Sequence, residues 1–366
     1  MIASNITIIN LANWQEDMKS GFKGTGCTVT HRIILFALMA VIFMVCMPIN
    51  AICQDANIVG PDYTPDSLLA DLNNPWGSQF EFELSFDEGC IYAGDDPALD
   101  PEQPLRKNRK IYVYIPAAYK DGSRAPLLVT LDGPSHFYQI CNAMNNLSVQ
   151  NVQHEKLPAF VLISVENGGG LGKGSQRSLE YDTMSDRFAR FIDHEVLPGV
   201  LNNEEIRERY PGFILSEDPW DRAVMGCSSG GAAAFTMGWF RPDLFRRIVS
   251  YSGTFVDQQT DELPEELIYP LGAWEYHSGM KLIEKSEKKP LRVFIHVSEH
   301  DFGYEAPEES HLNWVLANER IAKELNNKGY DYRYLYSLDS DHCDARVFEH
   351  TLVQTLLWIW SEAGSR

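Results

Sequence analysis

Residues 221–235 read DRAVMGCSSGGAAAF. The run Arg222 to Gly226 is short, apolar and bounded, as a buried strand is. Gly226-Cys227-Ser228-Ser229-Gly230 then fits the pattern G-x-S-x-G, and Gly231-Ala232-Ala233-Ala234 opens a helix. A strand, a turn with tiny flanking residues and a helix of small residues is the order that a nucleophile elbow requires. The turn is so tight that its flanks must be small, and it leaves the Ser228 hydroxyl at a helix N-terminus, where the backbone dipole favours a developing anion. The competing reading is a glycine-rich connection with a hydrogen-bonded serine.

The surrounding sequence repeats this alternation. PLLVTLDG (126–133), FVLISVE (160–166), RRIVSYSG (246–253) and LRVFIHVS (291–298) are further buried strands of the parallel kind. Helical stretches fall at 184–197, 229–240, 311–328 and 346–362. Before them, FEFEL (80–84) alternates as a half-buried antiparallel strand, and IYVYIP (111–116) is a strand stopped by its proline. The predicted fold class is α/β: a mostly parallel, doubly wound sheet with antiparallel strands at its N-terminal edge. The site of such a sheet lies at the carboxyl ends of its strands.

The chain has 366 residues and a formal charge of −20, a field that repels nucleic acid and anionic lipid headgroups. Residues 33–49 (IILFALMAVIFMVCMPI) carry no charge and follow His31-Arg32, so residues 1–53 read as a secretory signal with a long n-region. The alternative is an uncleaved anchor, which would be the only contact with a membrane. Residues 54–79 are polar and read as a linker or surface arm, and 80–366 as the catalytic domain. The protein is therefore expected to be exported, periplasmic or extracellular. Cys90, Cys141, Cys227 and Cys343 then face an oxidising compartment, where disulfides form.

A serine hydroxyl needs a base to take its proton. His342, after the strand YDYRYLYS (330–337) and before the last helix, occupies the place for it. His277, His296, His300, His311 and His350 fit less well. Asp301 follows the penultimate strand and is the candidate acid, with Glu299 and Glu305 as weaker alternatives; its role would be to fix the imidazole tautomer. One oxyanion-hole donor should be the N–H of Ser229. The other is Gly133 or Ser135, since Pro134 between them has none. If Ser228 and His342 meet, their neighbours Cys227 and Cys343 lie close enough for a disulfide, which leaves Cys90 and Cys141 as a second pair. Arg177, Glu180 and Tyr181 in QRSLEYD, with His136, are candidates for holding substrate; an Arg–Glu pair that only anchors the loop is the alternative. The glycine-rich ENGGGLGKG (166–174) lacks P-loop spacing and reads as a loop bordering the site.

Several segments resemble the bacterial putative-esterase branch of the α/β-hydrolases, which includes feruloyl, acetyl-xylan and enterobactin esterases. They are LLVTLDGPSHF, RSLEYDTMSDRFARFIDHEVLP, MGCSSGGAAAFTMGWFRPDLFRRIVSYSGTFV and PLRVFIHVSEHDFGY, within residues 105–362. The resemblance implies ester hydrolysis with Ser228, Asp301 and His342 as the triad, and neither cofactor nor metal. His342-Cys343 departs from that branch and is similar instead to the CS…D…HC pattern of tannases and fungal feruloyl esterases, in which the two flanking cysteines are joined. The expected substrate is a small-molecule or polysaccharide ester, an acyl or feruloyl ester of a carbohydrate. A siderophore trilactone and a non-catalytic binding module on the same fold are the alternatives.

Overall fold

The computed structural model describes residues 56–149, 157–261 and 263–361. The proposed signal segment lies outside the described residues. Nine strands form one sheet: β1 (Ala56–Val59), β2 (Ser78–Ser85), β3 (Asn108–Ile115), β5 (Leu127–Leu131), β6 (Val161–Val165), β8 (Arg222–Cys227), β9 (Arg247–Tyr251), β10 (Arg292–His300) and β11 (Asp331–Asp341). The short strands β4 (Arg124–Ala125) and β7 (Ile214–Leu215) pair separately. The order in the large sheet is β1-β11-β10-β9-β8-β5-β6-β3-β2. Only the pairs β2–β3 and β3–β6 are antiparallel, so the sequence pattern and the observed sheet agree on a mostly parallel sheet with an antiparallel edge.

Alternation along the central strands divides the interior in two. Val129, Ile163, Val224, Ile248 and Ile295 point to one face, where they meet Phe235 of the helix Ser229–Phe240 and Ile321 of the helix Trp314–Asn327. Leu128, Leu162, Met225, Val249 and Phe294 point to the other, against the helices Phe137–Val149 and Ala345–Trp360. Strands with both faces covered are apolar at most positions on either face, which is why they read as near-continuous runs. The helix read as 184–197 begins later, at Arg187, and continues to Leu201 through a π-helical turn at Ile192–Val196.

Two readings of the sequence are corrected. The segment taken as a linker or surface arm contributes β1, which pairs in parallel with β11 from Ala56↔Tyr334 to Val59↔Ser337. Its Asp66 and Leu69 anchor to the last helix and to Asn142. Cys90 and Cys141 do not pair. Cys90 packs against the core on one side of the sheet and Cys141 lies in the core on the other, so the sheet itself stands between the two thiols. Burial pushes the Cys141 thiol far above its ordinary range, which keeps it unreactive. Among the described residues no helix is long and apolar enough to cross a membrane. Peptide mapping after alkylation in denaturant without reductant should find Cys90 and Cys141 modified; Cys227 and Cys343 should be modified only after reduction.

Candidate active site

β8 ends at Cys227, and Ser228 turns the chain into the next helix with φ 59° and ψ −130°. A Cβ on Gly226 would lie 2.3 Å from the Gly230 carbonyl carbon, and one on Gly231 would lie 2.7 Å from Ser250 Oγ. The Gly226 contact is with backbone, which is the physical content of the first motif glycine; Gly231, just after the motif, lets the helix lie close to β9. The Ser228 N–H donates to the Tyr251 carbonyl at 3.0 Å, and its own carbonyl accepts from Gly231, Ala232 and Thr254. These bonds hold a backbone conformation that costs about 1–3 kcal/mol in isolation.

Ser228 Oγ lies 2.9 Å from His342 Nε2. On the other side of the ring, His342 Nδ1 lies 2.5 Å from Asp301 Oδ1. Asp301 follows β10 and is fully buried. Burial alone would raise its pKa, but the hydrogen bond and charge of His342, the Ser252 hydroxyl and the Phe302 N–H outweigh it and hold the carboxyl below its ordinary value. The Phe302 ring stacks on the imidazole with centroids 3.9 Å apart and planes 19° from parallel. The Trp314 indole N–H donates to Thr254 Oγ1, which lies 3.4 Å from Ser228 Oγ.

Cys227 and Cys343 are joined, with Cα atoms 6.2 Å apart across a sequence separation of 116. The bond ties the turn bearing Ser228 to the loop bearing His342. Closing a loop of that size restricts the unfolded chain, a contribution of about 5 kcal/mol on the chain-entropy account.

A cleft of about 570 Å³ opens beside Ser228, with Pro104, Arg106, Asp132, Asn167, Gly169, Gly170, Leu171 and Arg177 in its lining. Arg177 stands in this cleft and grips Asp132 through two bonds, Nε at 2.8 Å and Nη2 at 2.7 Å. The other substrate-binding candidates are elsewhere. Glu180 is buried in an ion pair with Arg109 at 2.6 Å and also accepts from Gln176 and Gly168. Arg109 lies fully buried over the rings of Phe86 and Phe191. Glu180 thus anchors the loop from below and does not face substrate. Tyr181 is buried too; its hydroxyl accepts from the Asp132 N–H, and Arg177 lies over its ring. His136 stacks on Phe348 and lines a separate small cavity with Thr130, Cys227 and Tyr251. Burial lowers its pKa to about 4, so it is neutral at ordinary pH.

The two expected second oxyanion donors are also corrected. The Gly133 N–H is taken by the Val165 carbonyl at 2.9 Å and the Ser135 N–H by the Asp132 carbonyl at 3.2 Å, so neither is free. The sequence reading missed Asp132, Asn167, Arg106 and Phe302. Phe302 directly follows the acid and so stood in view, but nothing in its type announces a stack on a histidine 40 residues later. His277 and His296 are buried among hydrogen-bond partners, and burial lowers their pKa values to about 3 and about 4.

The fold, with its cleft at the carboxyl ends of the strands, is of the α/β-hydrolase type. A model of the family described as "Putative esterase" matches residues 103–359, and the chain belongs to that family. It is similar to "Uncharacterized protein YbbA" of Bacillus subtilis (strain 168), 23% identical over 228 residues that make up 61% of this chain and 80% of that one. Among solved structures, a ferulic acid esterase matches with a TM-score of 0.52 and 16% identity, over 79% of this chain and 99% of that chain. The ferulic acid esterase of the anaerobic fungus Anaeromyces mucronatus gives a TM-score of 0.51 at 11% identity, over 81% and 95%. The ferric enterobactin esterase of Salmonella typhimurium gives 0.50 at 18%, over 81% of this chain and 60% of that one. These likenesses concern the fold.

Glu180→Ala would leave Arg109 buried without its counter-charge, and urea unfolding should show a loss of about 3–5 kcal/mol. Asp301 gives a pH signature with a defined sign. Its folded pKa lies below the unfolded value of about 3.9, so its contribution is complete above that value and is lost as pH falls through the folded one. Unfolding curves at a series of acid pH values should show this slope in the wild type and a shallower one in Asp301→Asn.

Proposed function

We propose that the protein hydrolyses carboxylic esters by acyl transfer through Ser228, His342 and Asp301. The observation that carries this reading is the continuous hydrogen-bonded chain from Ser228 Oγ through both ring nitrogens of His342 to buried Asp301. Asp301 accepts from Nδ1–H, which leaves Nε2 as the acceptor for the serine proton. Ser228 attacks the ester carbonyl while His342 takes its proton and then delivers it to the leaving alkoxide. Water, activated by the same imidazole, resolves the acyl-enzyme. Asp301, kept ionised by its surroundings, stabilises the imidazolium as it forms.

The tetrahedral oxyanion needs donors aimed at it. Ser229 begins the helix, where backbone N–H groups have no partner within the helix. With Gly133 and Ser135 engaged and Pro134 lacking an N–H, the second donor is Arg177. Its Nε and Nη2 are fixed on Asp132, its guanidinium lies over the Tyr181 ring, and it lines the cleft with Ser228, which leaves Nη1 to donate. Such a side chain is held in place before the reaction, as an oxyanion donor must be.

Export is part of this reading. The Cys227–Cys343 bond supports an oxidising compartment, in keeping with the signal reading of residues 1–53. The joined cysteines beside the serine and the histidine support kinship in mechanism with the tannase-type CS…D…HC esterases. The substrate class that fits is an acyl or feruloyl ester of a carbohydrate.

Rates on an aryl acetate, methyl ferulate, acetylated xylan and enterobactin should identify the preferred ester. Ser228→Ala should lower kcat on that ester by about 10³-fold or more, since the members of a triad act as a unit. Arg177→Gln should lower kcat by about 10²–10³-fold with little change in KM, the mark of a donor used in the transition state. Full activity in Ser228→Ala would overturn the mechanism. An unchanged kcat in Arg177→Gln would remove that residue from the oxyanion hole.

A further inference from the structure

The cleft beside Ser228 has a charge opposite to that of the chain as a whole. The chain carries a formal −20, yet the charged groups lining the cleft are Arg106, Arg177 and Asp132. Asp132 is spent: Oδ1 accepts from Arg177 Nε and from the Asn167 amide at 2.7 Å, and Oδ2 accepts from Arg177 Nη2. That pair is neutral as a unit. Arg106 is exposed and makes no ion pair with a described residue, so it supplies an uncompensated positive charge at the mouth.

The position of Arg106 is built. Its N–H donates to the Gly168 carbonyl at 2.7 Å, and six residues earlier the Asp100 N–H donates to the Gly174 carbonyl at 2.8 Å. The strap 100–106 thus lies along the glycine-rich loop 168–174, whose sequence had no assigned purpose. The glycines are what admit it. A Cβ on Gly169 (φ 97°) would come within 2.8 Å of the Pro104 carbonyl oxygen, and one on Gly170 (φ 77°) within 2.9 Å of Gln103 Oε1. At Gly169 the clash is with strap backbone, so any other residue there would displace the strap and carry Arg106 away from Ser228; at Gly170 the nearer obstacle is Ser175 Cβ at 2.6 Å.

We propose that the ester taken by this site carries an anion, a carboxylate or its equivalent, on its non-reacting part, and that Arg106 receives it. This rests on the esterase reading of Ser228 and adds the charge of the substrate to it. A guanidinium suits a carboxylate because it offers paired donors in one plane. Because Arg106 is solvent-exposed, its effect is that of a screened pair, a preference of about two- to fivefold. The anion can stand on the acyl side or on the alcohol side of the ester; the chemistry at Arg106 is the same.

Two matched pairs separate these cases. For the acyl side they are mono-para-nitrophenyl adipate and its methyl ester; for the alcohol side, para-acetoxyphenylacetate and its methyl ester. In the wild-type protein one anionic ester should exceed its neutral partner in kcat/KM by about two- to fivefold, mostly through KM. That ratio should fall towards unity in Arg106→Gln and invert in Arg106→Glu, and the pair that responds names the side. Calorimetric binding of the same pairs to Ser228→Ala reads the preference without turnover, so it stands apart from the catalytic assignment. Equal affinities within both pairs, or a ratio untouched by Arg106→Glu, would overturn the proposal. Neutral esters that are hydrolysed with no anionic preference would overturn it while leaving the esterase reading intact.

Discussion

The close approach of Gly226 to Gly230 sets the geometry from which the rest of the site follows. With no side chain between them, β8 can run directly into the helix Ser229–Phe240 and leave Ser228 at the apex with positive φ. That conformation is unfavourable for a serine, and the surrounding sheet holds it by binding the Ser228 N–H and carbonyl. The same register that pairs Cys227 with Tyr251 brings β9 alongside the turn. Everything the hydroxyl touches comes from the ends of strands β8 to β11 and the loops that follow them. The disulfide secures this meeting from the far side, because it fixes the loop of His342 to the strand that leads into Ser228.

A second layer of the structure is polar and buried. Arg109 and Glu180 form an ion pair away from water, where the cost of removing two charges from solvent is recovered only through close geometry and further hydrogen bonds. Glu180 has these from Gln176 and Gly168, and Arg109 lies against two aromatic rings. The pair fixes the short helix Gln176–Tyr181, which in turn places Arg177 in the cleft. Asp132, after β5, completes the link by holding the guanidinium from the other side. One charge pair therefore supports the loop, and a second orients Arg177 in the cleft beside Ser228. Loops at the end of a sheet acquire definition in this way without large apolar contacts of their own.

The parallel strands were legible in sequence because both faces of each are buried, so apolar residues fill most consecutive positions instead of alternating. The turn at Ser228 was legible because a side chain on Gly226 would meet backbone, and the meeting of its hydroxyl with His342 and Asp301 because those residues follow the last two long strands. The strand β1 was not legible: four residues at a sheet edge bury little, and its partner β11 lies more than 270 positions away. The Cys90–Cys141 pairing was argued from an even count of cysteines, which carries no information about which side of a sheet each thiol occupies. The substrate-binding role given to Glu180 and Tyr181 failed for a related reason. Arg177, Glu180 and Tyr181 stand within five residues on one short helix, and only packing against Arg109 and Asp132 decides which of them turns inward.

The sequence by itself determined the fold class, the turn at Ser228, the hydrogen-bond partners of its hydroxyl and the disulfide that follows from their meeting, because each depends on local sterics or on the order of elements along the chain. The tertiary structure alone decided what faces the cleft. Gly133 and Ser135 looked free until β6 and the turn at Asp132 claimed their N–H groups. Arg106 looked like one surface charge among many until the glycine-rich loop set its strap beside Ser228. These outcomes depend on hydrogen bonds and charges contributed by segments far apart in the chain, and no local pattern encodes them.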